Sequence, residues 1–124
     1  AVVGAGSDVG GGASILGVLS GTDGNPITIG SNTLLGANSV TGIPLGDGCI
    51  VDAGIAILAG TKISIDDAEL AKINAVNNNA ISNNVVKGKD LAGFHGIHFR
   101  VDSTNGKILA RRSTREVKLN ADLH

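Results

Sequence analysis

Aliphatic residues recur along this chain at every sixth position. Val3, Val9 and Ile15 open the series, which resumes at Ile29 and Leu35 and again at Leu45, Val51, Ile57 and Ile63. The position after the aliphatic is often glycine: Gly4, Gly10, Gly30, Gly36 and Gly46. Four residues after the aliphatic comes a small or β-branched residue, at Ser7, Ala13, Thr33, Ser39, Cys49, Ile55 and Thr61. This period predicts a parallel β-helix in which each hexad is a short strand plus a turn and three hexads make one coil. A sandwich of short strands would instead alternate with period two over runs of four to eight residues. Stacked coils bury the aliphatics in ladders and pair each backbone with the coils above and below.

Two breaks interrupt the period. Gly-Thr-Asp-Gly-Asn-Pro at 21–26 has turn residues throughout and predicts a loop pushed out of one corner. Between Leu35 and Leu45 the spacing is ten, which reads as a four-residue face, Thr41-Gly42-Ile43-Pro44, shortening one coil. Beyond Ile63 the repeat is expected to end. Asp66-Asp67-Ala68-Glu69, followed by Leu70, Ala71, Ile73 and Ala75, predicts a short helix with a capping box from Asp66 to Glu69. Asn77, Asn78, Asn79, Asn83 and Asn84 read as a polar loop. Strand-like pieces at Ile97–Val101 and Lys107–Ala110, joined by Ser103-Thr104-Asn105-Gly106, predict a hairpin. Such a hairpin would cap the open end of the solenoid, which otherwise exposes unpaired strands. The expected organisation is coils over 1–65, a helix and loop insertion over 66–84, and a capping segment over 85–124.

Composition agrees with a narrow coil. Of 124 residues 19 are glycine, two are Phe, and none is Trp, Tyr or Met, so no aromatic core is expected. Tight corners favour Gly and Asn, which tolerate φ > 0 at low cost. A hydrophobic share of 42% excludes intrinsic disorder. Cys49 is the single cysteine, which excludes a disulfide scaffold and reads as a small buried hydrophobe. A net charge of −1 argues against a general nucleic-acid binder. No apolar run approaches ~18 residues, so no membrane span is expected. No basic-then-apolar signal opens the chain, so a cytoplasmic location is expected. The start at Ala1 and the lack of Met point to a fragment or a processed chain.

Charge is split along the chain. Residues 1–60 carry Asp8, Asp23, Asp47 and Asp52 and no Lys or Arg, whereas all ten basic residues lie from Lys62 onward. Asp8, Asp23 and Asp47 are expected at corners or loops, and Asp52 at a solvated corner or a ligand contact. Gly10-Gly11-Gly12 reads as a packing or turn feature before an anion nest. There is no dinucleotide fingerprint, P-loop or cysteine pair. All three histidines, His95, His98 and His124, fall in the tail, which predicts surface or cap roles and no metal site on the coil wall. Arg111, Arg112 and Arg115 read as a solvated face.

Several segments carry a more specific resemblance. Gly6-Ser7-Asp8-Val9-Gly10-Gly11-Gly12-Ala13-Ser14, Leu35-Gly36-Ala37-Asn38-Ser39 and Gly42-Ile43-Pro44-Leu45-Gly46-Asp47 closely resemble the tetrahydrodipicolinate N-succinyltransferase family. The likeness continues through Asp52-Ala53-Gly54 and Ala59-Gly60-Thr61-Lys62 and ends at Leu119-Asn120-Ala121-Asp122-Leu123-His124, and the shortened coil is shared. The resemblance implies the C-terminal half of such an enzyme, built as a left-handed β-helix and assembled as a homotrimer. The family moves a succinyl group from succinyl-CoA to the amino group of ring-opened tetrahydrodipicolinate, a step toward diaminopimelate and lysine. The succinyl-CoA, its co-substrate, lies in a groove between neighbouring subunits.

Position by position, the resemblance places Gly11 and Ser14 near the reacting centre and Ala37 on the next coil. It puts Asp52 (usually Glu), Ala53 and Gly60 on the donor-lining face. Lys87, Arg100, Val101, Asp102 and Ser103 match the segment that holds the distal end of CoA, which fits a chain whose cations are confined to its tail. The family's proposed nucleophilic carboxylate belongs to the coil before Ala1. Glu69 and Glu116 do not match its context, so no catalytic residue is expected within this chain and it is expected to be inactive alone. No metal is implied. Two other readings stand beside this one: a non-catalytic trimerisation or CoA-binding scaffold, and a hexapeptide N-acyltransferase acting on an amino sugar.

Overall fold

The period-six pattern becomes strands of two residues, the length left once four of six positions go to turning a corner. A computed structural model describes residues 2–17, 27–78 and 81–115. Its strands are β1 (Val2–Val3), β2 (Asp8–Val9), β3 (Ser14–Ile15), β4 (Thr28–Ile29), β5 (Leu34–Leu35), β6 (Val40–Thr41), β7 (Ile50–Val51), β8 (Ala56–Ile57) and β9 (Lys62–Ser64). Helix α1 (Asp67–Asn77), β10 (Val85–Lys87), a 3-10 turn (Gly88–Leu91), β11 (Ile97–Val101) and β12 (Ile108–Arg112) follow.

The chain visits three parallel ladders in the same order on each pass. The first joins β1, β4 and Leu45; the second β2, β5 and β7; the third β3, β6 and β8. Leu35 pairs with Val51 and Thr41 with Ile57, a step of 16 residues where three full hexads take 18. The shortening therefore falls between Thr41 and Leu45, as the spacing predicts. The step from Val9 to Leu35 is longer by the insertion at 21–26, which lies outside the described residues.

Corner chemistry repeats with the coils. Gly6, Asn32 and Gly48 take positive φ at one corner, and Gly12, Asn38 and Gly54 at the next, with φ between 58° and 77°. Only Gly and Asn occupy these six positions because a Cβ with a bulky side chain is strained there. Inside, Ile29, Leu35, Leu45, Val51, Ile57 and Ile63 are almost fully buried. The sixth-position count omits Thr41, which stands inside the coil between Ile15 and Ile57. Its Oγ1 and the Ser39 Oγ are buried with no hydrogen-bond partner among the described residues.

The tail corrects two expectations. The ladders do not end at Ile63: β11 stacks in parallel on β7, and the Phe94 carbonyl accepts from Gly46 N–H at 2.9 Å. Residues beyond α1 thus return to supply the next rung. The second ladder grows into a seven-stranded sheet ordered β10-β9-β12-β11-β7-β5-β2, with the expected hairpin of β11 and β12 inside it. An aromatic contribution to the core also exists, since Phe94 and Phe99 are both buried where β11 joins the ladder.

Helix α1 docks on β12 through Leu70 and Ile73. Its capping box is only half made. Asp66 Oδ1 accepts from Glu69 N–H at 2.8 Å, but Glu69 Oε1 accepts from Arg112 N–H at 2.8 Å and Oε2 from Lys72 Nζ at 3.0 Å. The Arg112 amide and then Lys72 hold the Glu69 carboxyl below the usual carboxylate range. The asparagine stretch is less loop-like than its composition suggests. Asn77 brackets His95, accepting from its N–H at 2.6 Å and donating to its carbonyl at 3.0 Å. Asn84 Nδ2 donates to Ile65 O and Asp67 Oδ1, each at 2.8 Å. Asn78 ends α1 in the left-handed region, and Asn79 lies outside the described residues.

Candidate functional site

The coil register stacks three of the expected site residues in one column. Gly11 O accepts from Asn38 N–H at 3.0 Å, and Ala37 O accepts from Gly54 N–H at 2.9 Å. Gly11, Ala37 and Ala53 therefore follow one another along the corner between the second and third ladders, all exposed. With at most a methyl at each step, this corner leaves backbone groups open to a ligand lying along the coil. Ser14 is exposed at the start of β3 beside it.

Asp52 sits one residue before this column. Its N–H donates to Phe99 O at 3.0 Å, and its Oδ1 lies 2.6 Å from His98 Nε2. Arg100 follows on β11, half-buried, opposite Leu109, which in turn pairs with Ser64 and through it with Val85. Val101 and Ser103 are exposed at the end of this strand. Asp102 works within the turn: its Oδ1 accepts from the Thr104 hydroxyl at 2.6 Å and the Thr104 N–H at 2.9 Å, which lowers its pKa. The Asp102 carboxylate is therefore engaged locally.

Gly60 and Lys87 lie apart from the column. Gly60 belongs to a hollow of about 500 Å³ at the far edge of the third ladder, with Leu16, Gly42, Leu58, Ala59 and Thr61. Lys87 is exposed on β10, directly opposite Lys62 on β9. The predicted residues thus flank the third ladder on two edges and do not converge on one cavity within a single copy. A larger hollow, about 840 Å³, lies elsewhere, between α1 and β12. It is lined by Lys72, Arg111, Arg112 and Leu109 among others, and of the predicted set only Arg100 reaches it.

Other tail residues depart from expectation. Arg112 and Arg115 are not a solvated face: Arg112 donates to the carbonyls of Gly96 and Ser113, and Arg115 to Asn32 O and Oδ1. Histidines do reach the coil wall. His95 Nδ1 accepts from Asp47 N–H at 2.8 Å, and His98 meets Asp52. Asp8 lies in strand β2 and not at a corner, while Asp23, Glu116 and His124 fall outside the described residues. No group of three or more His, Cys, Asp or Glu converges among the described residues. Cys49 is fully buried, and desolvation pushes its thiol up to about 11. No helix among the described residues is long and apolar enough to cross a membrane.

Comparison with known proteins gives this geometry its context. Residues 26–59 match a family model described as the hexapeptide repeat of succinyl-transferase. A 2,3,4,5-tetrahydropyridine-2,6-dicarboxylate N-succinyltransferase of Sulfurimonas denitrificans is 69% identical over 124 residues, covering 100% of this chain and 31% of the relative. The enzyme of the same name from Helicobacter pylori is 61% identical, over 99% of this chain and 31% of that protein. Over its whole length the chain is similar to these N-succinyltransferases. A solved Campylobacter jejuni structure, described as a 2,3,4,5-tetrahydropyridine-2-carboxylate N-succinyltransferase, matches 90% of this chain and 29% of its own, with a TM-score of 0.80 and 57% identity. The chain spans about a third of the length of the curated N-succinyltransferases it matches, less than the half the sequence suggests.

Proposed function

We propose that this chain carries the acyl-donor half of a succinyl-transfer site: it binds succinyl-CoA for a protein that succinylates the amino group of ring-opened tetrahydrodipicolinate. The observation that carries this reading is the exposed column Gly11–Ala37–Ala53, which runs along the coil without a projecting side chain. Names and identities of the full-length relatives support the same activity for the whole protein. A cytoplasmic location fits a biosynthetic step that uses an acyl-CoA.

The reading includes a left-handed coil and a homotrimer. Support for assembly comes from the split between the column and the Gly60 hollow. A donor touching both sets lies between two copies, the corner of one facing the far edge of the next. Exposed Val2, Val9, Leu16 and Leu58 give such an association apolar surface to bury. The organisation we propose is a coil unit at 1–65, an insertion at 66–84, and a tail at 85–124 that caps the coils and holds the donor's distal end.

Each residue then has a chemical task. The backbone along Gly11, Ala37 and Ala53 meets the acyl and amide groups, Ser14 offers a hydroxyl near the thioester, and Asp52, Gly60 and Val101–Ser103 line the arm. Lys87 and Arg100 face the phosphates as cations. Replacing Lys87 or Arg100 by Ala is expected to weaken CoA binding by about 1–3 kcal/mol, the range for a hydrogen bond to a charged group. Calorimetry with CoA checks this, and unchanged affinity in both variants removes the tail from the donor site.

A further inference from the structure

The edge of the seven-stranded sheet holds two lysines in direct opposition. Lys62 on β9 pairs with Lys87 on the antiparallel β10. The bond flanking this pair runs from Gly88 N–H to Thr61 O at 2.8 Å, so Lys62 and Lys87 form a non-hydrogen-bonded pair. In such a pair the Cα atoms approach to about 4.5 Å and the side chains leave the same face together. Both are exposed, while Ile63 and Val86 beside them point into the core. Like charges directly opposite one another destabilise a sheet unless an anion lies between them.

Among the described residues no ion pair supplies such an anion. The ion pairs among the described residues are Lys72–Glu69 and His98–Asp52, neither of which involves these two lysines. The neighbouring acid, Asp90, has its Oδ2 on the Lys87 backbone N–H at 2.9 Å. Lys89 adds a third exposed cation on the adjoining 3-10 turn, which Lys89 N–H ties to Ala59 O at 3.0 Å. These bonds hold the backbone around Lys87 against Thr61 and Ala59, two residues that line the apolar hollow, and Lys62 follows Thr61 directly.

We infer that Lys62 and Lys87 form a two-armed clamp for one phosphate group, with Lys62 an unassigned binding residue of the donor site. The inference rests on the acyl-CoA reading for the identity of the donor, but not for the clamp itself. An apolar hollow ending at paired ammonium groups suits a ligand with a thin uncharged arm and a polyanionic head. Each ammonium offers three donors, so two can share the oxygens of a single phosphate.

The test is calorimetry on the full chain with CoA, dephospho-CoA and inorganic diphosphate as separate probes. Lys62→Gln is expected to weaken CoA and inorganic diphosphate about tenfold, and Lys62→Arg to retain binding within about threefold. A loss shared by dephospho-CoA assigns the clamp to the diphosphate; a loss confined to CoA assigns it to the 3′-phosphate. Unchanged CoA affinity in Lys62→Gln, or an equal loss in Lys62→Arg, overturns the clamp. A chain that binds inorganic diphosphate through Lys62 but takes no CoA keeps the clamp and removes the donor reading. A chain that binds CoA with no dependence on Lys62 removes the clamp alone.

Discussion

Gly36→Val is expected to leave the chain unable to hold its coils together. A Cβ at Gly36 meets Ala53 N and lies 2.8 Å from both Ala53 Cα and the Asp52 carbonyl carbon. All three are backbone atoms of the coil below, so no rotamer change relieves the contact. The only relief is to part the rungs, which breaks the bond from Gly36 N–H to Val51 O at 2.7 Å. Overpacking a core costs about 1–3 kcal/mol where side chains can shift, and more where backbone must move. Against a domain stability of about 5–15 kcal/mol, a loss above about 3 kcal/mol is a large share. The internal control is Gly17→Ala, where a Cβ meets nothing within 4 Å. Urea unfolding followed by circular dichroism should show a much lower midpoint for Gly36→Val and no change for Gly17→Ala. Equal midpoints for Gly36→Val and the wild type would mean that the coils are not stacked at this spacing.

That close approach explains why the coils were legible in the sequence. A hexad leaves one inward position per face and one corner needing positive φ, so composition and spacing are fixed together. Val9, Leu35 and Val51 stack as their period requires. Thr41 breaks the aliphatic pattern because a hydroxyl stands at a position otherwise given to aliphatics. The tail was legible only as pieces. Nothing local in Gly-Ile-His-Phe-Arg-Val announces that Phe99 stacks on Val51, because that pairing spans 48 residues and an intervening helix. The same long-range register hid the contact between Asp52 and His98. Arg112 and Arg115 carry no sequence signal of their contacts for a related reason: their partners, Gly96 O and Asn32 O, are distant carbonyls with no pattern of their own. The glycine and alanine column was available from spacing, while its candidacy as a donor site came from family resemblance.

Incubated alone with succinyl-CoA and an amine acceptor, the 124-residue chain is expected to release thiol no faster than buffer. Amine acylation needs a group to take or relay a proton, positioned within about 2.6–3.2 Å of the reacting atom. Beside Gly11 and Ser14 the nearest carboxylate in sequence is Asp8, an outward residue of an exposed two-residue strand. The one carboxylate–imidazole pair of the described residues, Asp52 with His98, lies at the third coil and beside the donor's arm in our reading. General acid–base assistance contributes about 10²–10⁴-fold, so its loss should take turnover below detection. A full-length relative assayed in parallel supplies the positive control. Turnover in this chain that disappears in His98→Gln would move the chemistry onto the Asp52–His98 pair.

In the assembly we propose, the donor lies along the Gly11–Ala37–Ala53 column of one copy and against the Gly60 hollow of the next. A crystal structure of the chain grown with CoA tests both halves at once. Three copies about a threefold axis are expected, with each pantetheine arm between that column and a neighbour's hollow and the phosphates near Lys87. A CoA held within a single copy, or seated in the hollow between α1 and β12, would contradict it.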